Sequence, residues 1–161
     1  MFSFRHKDNS DLLSSQLYNE QSFFPAFITD MKRATASIII ESPFIGQRRL
    51  KSLYPLIEKA VRRGVRVIIN TRDPQYHEDF MQQQATGAIA ALQNLGILVL
   101  YTSNHHRKLV IIDRSVLYEG SLNILSQTDS CEVMRRIKSF DLSEEMIQFL
   151  HIGEYLRTEL V

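Results

Sequence analysis

The sequence predicts an α/β fold, with a central mixed, largely parallel β-sheet flanked by helices on both faces. Two observations carry the prediction. Over residues 36–102, short apolar β-branched runs alternate with longer segments of helical period, the order that parallel strands and crossover helices require. Beyond them, Leu109–Ile112 and residues 115–123 read as two strands joined by a tight turn, which adds an antiparallel pair. With 161 residues and 44% apolar content, the chain is long enough for one domain with its own core.

Residues 1–21 are polar without a clear period and read as an N-terminal arm, with a short helix around residues 11–18 capped by Ser10. His6 and Lys7 in this arm read as surface residues. A single domain is expected over residues 22–161. It opens with an amphipathic helix marked by Phe23, Phe24, Phe27, Ile28 and Met31, with Pro25 tolerable in the first turn. Residues 36–45 form the first strand, and its Ile38, Ile39 and Ile40 are apolar on both faces, as a buried central strand must be. A helix over 48–63 ends at Gly64, and 65–71 is the next buried strand. A helix over 78–95, a stop at Gly96 and a strand over 97–102 repeat the unit. After the hairpin, residues 131–137 read as a strand and 143–160 as a helical region with a weak point at Gly153.

Composition narrows the function classes. The lone Cys131 rules out an internal disulfide, so nothing marks the chain as built for an oxidising compartment. No stretch has the pattern of a leader or the length of a membrane span, and the expected location is cytoplasmic. A net charge of +1 argues against indiscriminate coating of nucleic acid. The charge is uneven, however: residues 141–161 hold five acids against one Arg, leaving the first 140 with 18 basic and 13 acidic groups, a net of +5. Basic clusters fall at Arg48, Arg49 and Lys51, at Arg62, Arg63 and Arg66, and at Arg135, Arg136 and Lys138; the second reads as the solvated end of a helix. No glycine-rich phosphate loop is present, and His77 with its neighbouring acids lacks metal-ligand spacing, so no metal or cofactor is expected.

The chemistry concentrates in residues 106–132, where the pattern H-x-K-x(4)-D-x(6)-G-S-x-N is formed by His106, Lys108, Asp113, Gly120, Ser121 and Asn123. Six fixed residues at set offsets arise by chance in roughly a few chains per million of this length. If the turn is centred between Arg114 and Ser115, Lys108 stands opposite Ser121 and His106 opposite Asn123, and opposed residues share a face. Asp113, at an odd offset from Lys108, falls on the other face or in the turn, which makes it structural. A cation, a hydroxyl and an amide suit the oxygens of a phosphate, and Gly120 lets the backbone approach it. The imidazole of His106 can attack phosphorus or move protons near neutral pH. His105 points away from this patch and reads as a surface or supporting residue, and His151 as a packing or surface residue.

These residues resemble the histidine-lysine-aspartate motif of the phospholipase D superfamily, and a single copy in a short chain is similar to its bacterial endonuclease branch. The resemblance implies a phospholipase D-like fold over roughly residues 22–160 and a metal-independent phosphodiesterase. It implies His106 as a nucleophile that carries a covalent phosphohistidine, Lys108 and Asn123 as phosphate ligands, and Glu132 as the carboxylate orienting the ring. Because only one motif histidine exists per chain, a second copy must supply the acid for the leaving oxygen, and a homodimer with one composite site is expected. Ligands of open α/β sheets gather at the carboxyl ends of the parallel strands, so Ser42, Arg48, Arg49 and Arg72 are candidates to line a substrate cleft. Nucleic acid is the expected substrate. A phospholipid headgroup hydrolase or transferase, and a nucleic-acid-binding module of a larger DNA-processing or defence protein, are the alternatives.

Overall fold

The computed structural model describes residues 10–157; His6, Lys7 and the end of the expected terminal helix lie outside them. The elements run α1 (Ser10–Leu13), β1 (Gln16–Asn19), α2 (Phe23–Arg33), β2 (Ser37–Glu41), α3 (Gln47–Arg62) and β3 (Arg66–Thr71). A 3₁₀ turn at Pro74–Tyr76 leads to α4 (Asp79–Asn94), β4 (Leu98–Tyr101), β5 (Leu109–Ile112), β6 (Val116–Gly120), β7 (Val133–Lys138) and α5 (Phe140–Phe149). All seven strands form one sheet in the order β1-β7-β6-β5-β2-β3-β4.

The sheet is mixed and carries helices on both faces, but its balance differs from the largely parallel one expected. Only β2–β3 and β3–β4 pair in parallel; the other four pairings are antiparallel. Part of the difference is β1, where the sequence suggested helix through Tyr18. A helix there would leave the backbone of β7 unpaired along a sheet edge. Instead Gln16–Asn19 pairs with it, and the Tyr18 ring packs 6.3 Å from that of Tyr118.

Helix ends follow the expected chemistry. At Gly64 and Gly96 the backbone turns left-handed (φ 84° and 80°), and Val65 N–H and Ile97 N–H donate back to Ala60 O and Leu92 O. The last helix departs from expectation. It starts at Phe140, where the Ser139 hydroxyl accepts from Leu142 N–H, and it ends at Phe149. His151 then takes φ 54°, and the N–H groups of His151 and Ile152 cap Gln148 O and Ile147 O. Ile147 and Ile152 are both buried, the apolar contact that accompanies such a cap, and Gly153–Leu156 follow as a 3₁₀ turn.

Two cores flank the sheet. On one face α2, α3 and α4 pack Phe23, Phe27, Leu53, Ile57 and Leu92 against Ile38, Ile40, Ile69, Val110 and Tyr118. Tyr118 Oη donates to Asp30 in α2, which Arg136 also holds. On the other face α5 and the following turn cover Ile39, Ile68, Ile111, Leu117 and Ile137. This cover is partial. A groove of about 560 Å³, lined by Leu17, Leu109, Glu119, Val133, Arg135, Met146 and Phe149, remains open beside Arg107 and Lys108. Strand directions bring the carboxyl ends of β2, β3, β4 and β6 and the starts of β5 and β7 to one end of the sheet, where the motif lies.

Candidate active site

The motif hairpin forms, with a register one residue from that expected. Ile112 pairs with Val116 and Leu109 with Glu119, because Asp113, Arg114 and Ser115 all lie in the turn. Asp113 and Arg114 are both left-handed (φ 51° and 55°), and Ser115 N–H closes the turn on Ile112 O. Lys108 therefore faces Gly120, whose N–H donates to Lys108 O, and not Ser121; the expected pairing of His106 with Asn123 is lost with it. His106, Lys108, Ser121 and Asn123 still gather at one sheet end, because the chain leaves β6 at Ser121 and turns back through Asn123 towards β7, while Asp113 lies in the turn at the other end.

Asp113, a motif residue and so a candidate for the catalytic set, lies apart from His106 and is used by the scaffold, in keeping with its parity. Its carboxylate accepts from the backbone N–H groups of Thr35, Ala36 and Ser37 at 2.9, 2.8 and 3.0 Å, tying the hairpin turn to the chain entering β2. Burial acts to raise this carboxyl, but the three backbone donors more than offset it and hold its pKa below the ordinary value.

His106 is exposed, and its Nδ1 takes the Lys108 ammonium at 3.0 Å; Lys108 also donates to His106 O at 2.7 Å. Burial pushes the Lys108 ammonium below its usual range, and the Glu132 charge pulls it part of the way back. Glu132 binds the hydroxyls of Ser121 and Ser130, not the ring of His106. Ser121 is itself fixed, its hydroxyl accepting from Val133 N–H and its N–H donating to Val133 O. Asn123 O caps the turn by accepting from Ser126 and Gln127 N–H, while Asn123 Oδ1 is buried with no partner among the described residues. Such an unpaired acceptor costs about 1–3 kcal/mol.

Three of the expected substrate-binding residues instead build the scaffold. Ser42 is fully buried; its hydroxyl donates to Phe44 O and accepts from Leu125 N–H, pinning the loop after Asn123. Arg49 donates twice to Gln127 O, and its guanidinium lies 3.7 Å over the Phe24 ring. Gly120 serves the sheet rather than a ligand: a Cβ there would overlap Val133 O and come within 2.8 Å of Met134 Sδ. Arg48 is exposed at the start of α3.

The sequence reading missed Glu41. This carboxylate is fully buried and accepts from His105 Nε2 at 2.6 Å, Arg107 Nε at 2.8 Å and Asn70 Nδ2 at 2.9 Å. Burial acts to raise its pKa, yet the three donors and the Arg107 charge hold it below the usual carboxylate range. His105 is thus buried on the face opposite His106. The available signal was an acid directly following Ile38–Ile40, at a strand position too central to be solvated. Among the described residues, no cluster of three or more His, Cys, Asp and Glu side chains forms a metal site, and no helix is long and apolar enough to cross a membrane.

The profile of the family described as "Cardiolipin synthase, PLD-like domain" matches residues 27–151. Among solved structures, the chain is similar to a phospholipase D family member, Nuc from Salmonella typhimurium, with TM-score 0.70 and 22% identity over 89% of this chain and 95% of that one. It is similar to NucT from Helicobacter pylori, with TM-score 0.69 and 18% identity over 84% and 92%. Polyphosphate kinase from Porphyromonas gingivalis is similar at TM-score 0.69 and 11% identity, covering 94% of this chain and 28% of that one. No curated protein sequence matches.

Proposed function

The chain belongs to the phospholipase D superfamily, and from that premise we propose that it is a metal-independent phosphodiesterase acting on nucleic acid, with His106 as nucleophile. The observation that carries the proposal is an exposed His106 in contact with Lys108, at the sheet end that also holds Ser121 and Asn123. His106 Nε2 attacks phosphorus, forming a P–N bond as the P–O bond to the leaving group breaks. A histidine from a second copy gives that oxygen its proton, and water then releases the phosphohistidine. While Lys108 donates to Nδ1, the neutral ring keeps its proton on Nε2, the wrong tautomer for attack. A bound phosphate supplies the change: it draws the ammonium onto its own oxygens, which frees Nδ1 to take the ring proton and leaves the Nε2 lone pair for attack.

The working unit in this proposal is a twofold dimer with one composite site. Besides the need for a second histidine, the uncovered half of the α5 face supports it. Leu17, Val133 and Phe149 are 61%, 49% and 69% exposed there, directly beside Lys108. A second reading, a phospholipid headgroup hydrolase or transferase, draws on the description of the matching family and on the same apolar groove as a place for an acyl chain.

The test is incubation of the pure protein with DNA, RNA and phospholipid vesicles, each with and without excess EDTA. Cleavage of nucleic acid that persists in EDTA is expected. Cleavage of lipid alone selects the second reading, and activity lost with chelator and restored by magnesium contradicts the mechanism.

A further inference from the structure

β2 carries three buried isoleucines in a row and then ends on a buried acid. A fully desolvated carboxylate, even when paired, contributes little to stability compared with an apolar side chain of equal volume. What the bonds of Glu41 fix is geometry. Two of its three donors, His105 and Arg107, are the immediate neighbours of His106. The third, Asn70 at the end of β3, accepts through Oδ1 from Thr102 Oγ1 at 3.0 Å, and Thr102 O in turn accepts from His105 N–H at 3.3 Å. One carboxylate thus holds the segment 102–107 from beneath, directly at His105 and Arg107 and through Asn70 at Thr102, while His106 between its two direct partners is exposed.

We propose that Glu41 is a positioning residue for this site: by gripping His105 on one side and Arg107 on the other, it fixes the backbone between them and aims the His106 imidazole. This rests on the reading of His106 as nucleophile given above. The grip also leaves the terminal nitrogens of Arg107 without other partners among the described residues, at the edge of the groove that Lys108 lines. Displacing a reacting atom by about 1 Å costs roughly 10²-fold in rate, which sets the scale of the effect.

The experiment compares wild type with Glu41→Gln, nearly the same shape without the charge, in three readouts: kcat and KM, the thermal melt, and amide exchange over residues 102–108. Expected are a melt lowered by roughly 5–10 °C or more but still above the assay temperature, KM within about threefold, kcat lower by roughly 10²-fold, and faster exchange that is largest in that segment. Wild-type kcat with unchanged exchange overturns the proposal. Should Glu41→Gln fail to fold, Arg107→Ala, at a side chain 37% exposed, removes one arm of the grip and is held to the same two readouts, with a kcat loss of about tenfold. A wild-type protein that cleaves nothing, or a fully active His106→Ala, overturns the functional reading instead. The exchange data then decide positioning alone: a segment as protected in Glu41→Gln as in wild type rejects it.

Discussion

Asp113→Asn separates stability from catalysis within a motif whose His106 and Lys108 are proposed for the chemistry. Asparagine keeps the side-chain shape and tolerates the left-handed backbone at this position, so the substitution chiefly removes the charge. It leaves one amide oxygen where two carboxylate oxygens served three backbone donors, and turns an NH₂ group towards N–H groups. A hydrogen bond to a charged group contributes about 1.5–3 kcal/mol, and water can reach Thr35 and Ala36, so the net loss is about 2–3 kcal/mol. For a chain of this size that is a drop in Tm of roughly 5–10 °C. The folded pKa of Asp113 is depressed, so its contribution is present above the unfolded value of about 4 and disappears as pH falls through the folded value. Melts of wild type and variant should therefore lie apart at pH 7 and converge in acid. A gap below 1 °C at pH 7, a gap that persists unchanged at low pH, or a loss of kcat with an unaltered melt would refute this reasoning.

Gly120→Ala should destabilise by roughly 3 kcal/mol or more, since its Cβ meets the backbone of β7; a wild-type denaturant midpoint would contradict the strand contact. Arg49→Ala should lower stability by about 1–3 kcal/mol through the loss of the Gln127 and Phe24 contacts, whereas Arg48→Ala should leave the melt unchanged and reduce the log-log salt slope of nucleic-acid binding by about one. An unchanged slope moves the binding surface elsewhere. In a refolded equal mixture of wild type and His106→Ala, activity per total protein should be about a quarter of full activity if chains pair at random in a shared site. A straight-line dependence on wild-type fraction excludes the composite site.

Much of the fold was legible because its signals are local. Alternating β-branched runs and helical periods located β2 to β5, and two glycines with left-handed backbone marked the ends of α3 and α4. What depended on long-range pairing was not. β1 forms because β7 offers an edge, which four polar-flanked residues cannot announce. The motif register differs by one because Ser115, beyond the left-handed Asp113–Arg114 turn, stays out of the strand pairing and Ile112 meets Val116, which no local signal marks. The site divides the same way. The spacing singled out His106 and Lys108, which the structure brings into contact, whereas the Ser121 hydroxyl is taken by Glu132 and Val133 N–H, and the parity of Asp113 agrees with its place in the turn. Ser42 and Arg49 were assigned by location at the strand ends and Gly120 as a close approach to the ligand, yet burial, a backbone acceptor and a neighbouring strand claim them. Glu41 was passed over because its partners lie more than sixty residues away, at His105 and Arg107.

The central claim is that His106 attacks phosphorus, and the most direct test looks for the bond it would form. Protein mixed with a nucleic-acid substrate is quenched within a turnover in alkaline denaturant, which preserves an acid-labile N-linked phosphoryl group, and is digested for mass spectrometry. A phosphoryl-nucleotide adduct on the peptide carrying His106, absent from His106→Ala and removed by brief acid treatment, is the predicted result. Rapid turnover with no adduct on that peptide, or an adduct that persists in His106→Ala, would contradict it.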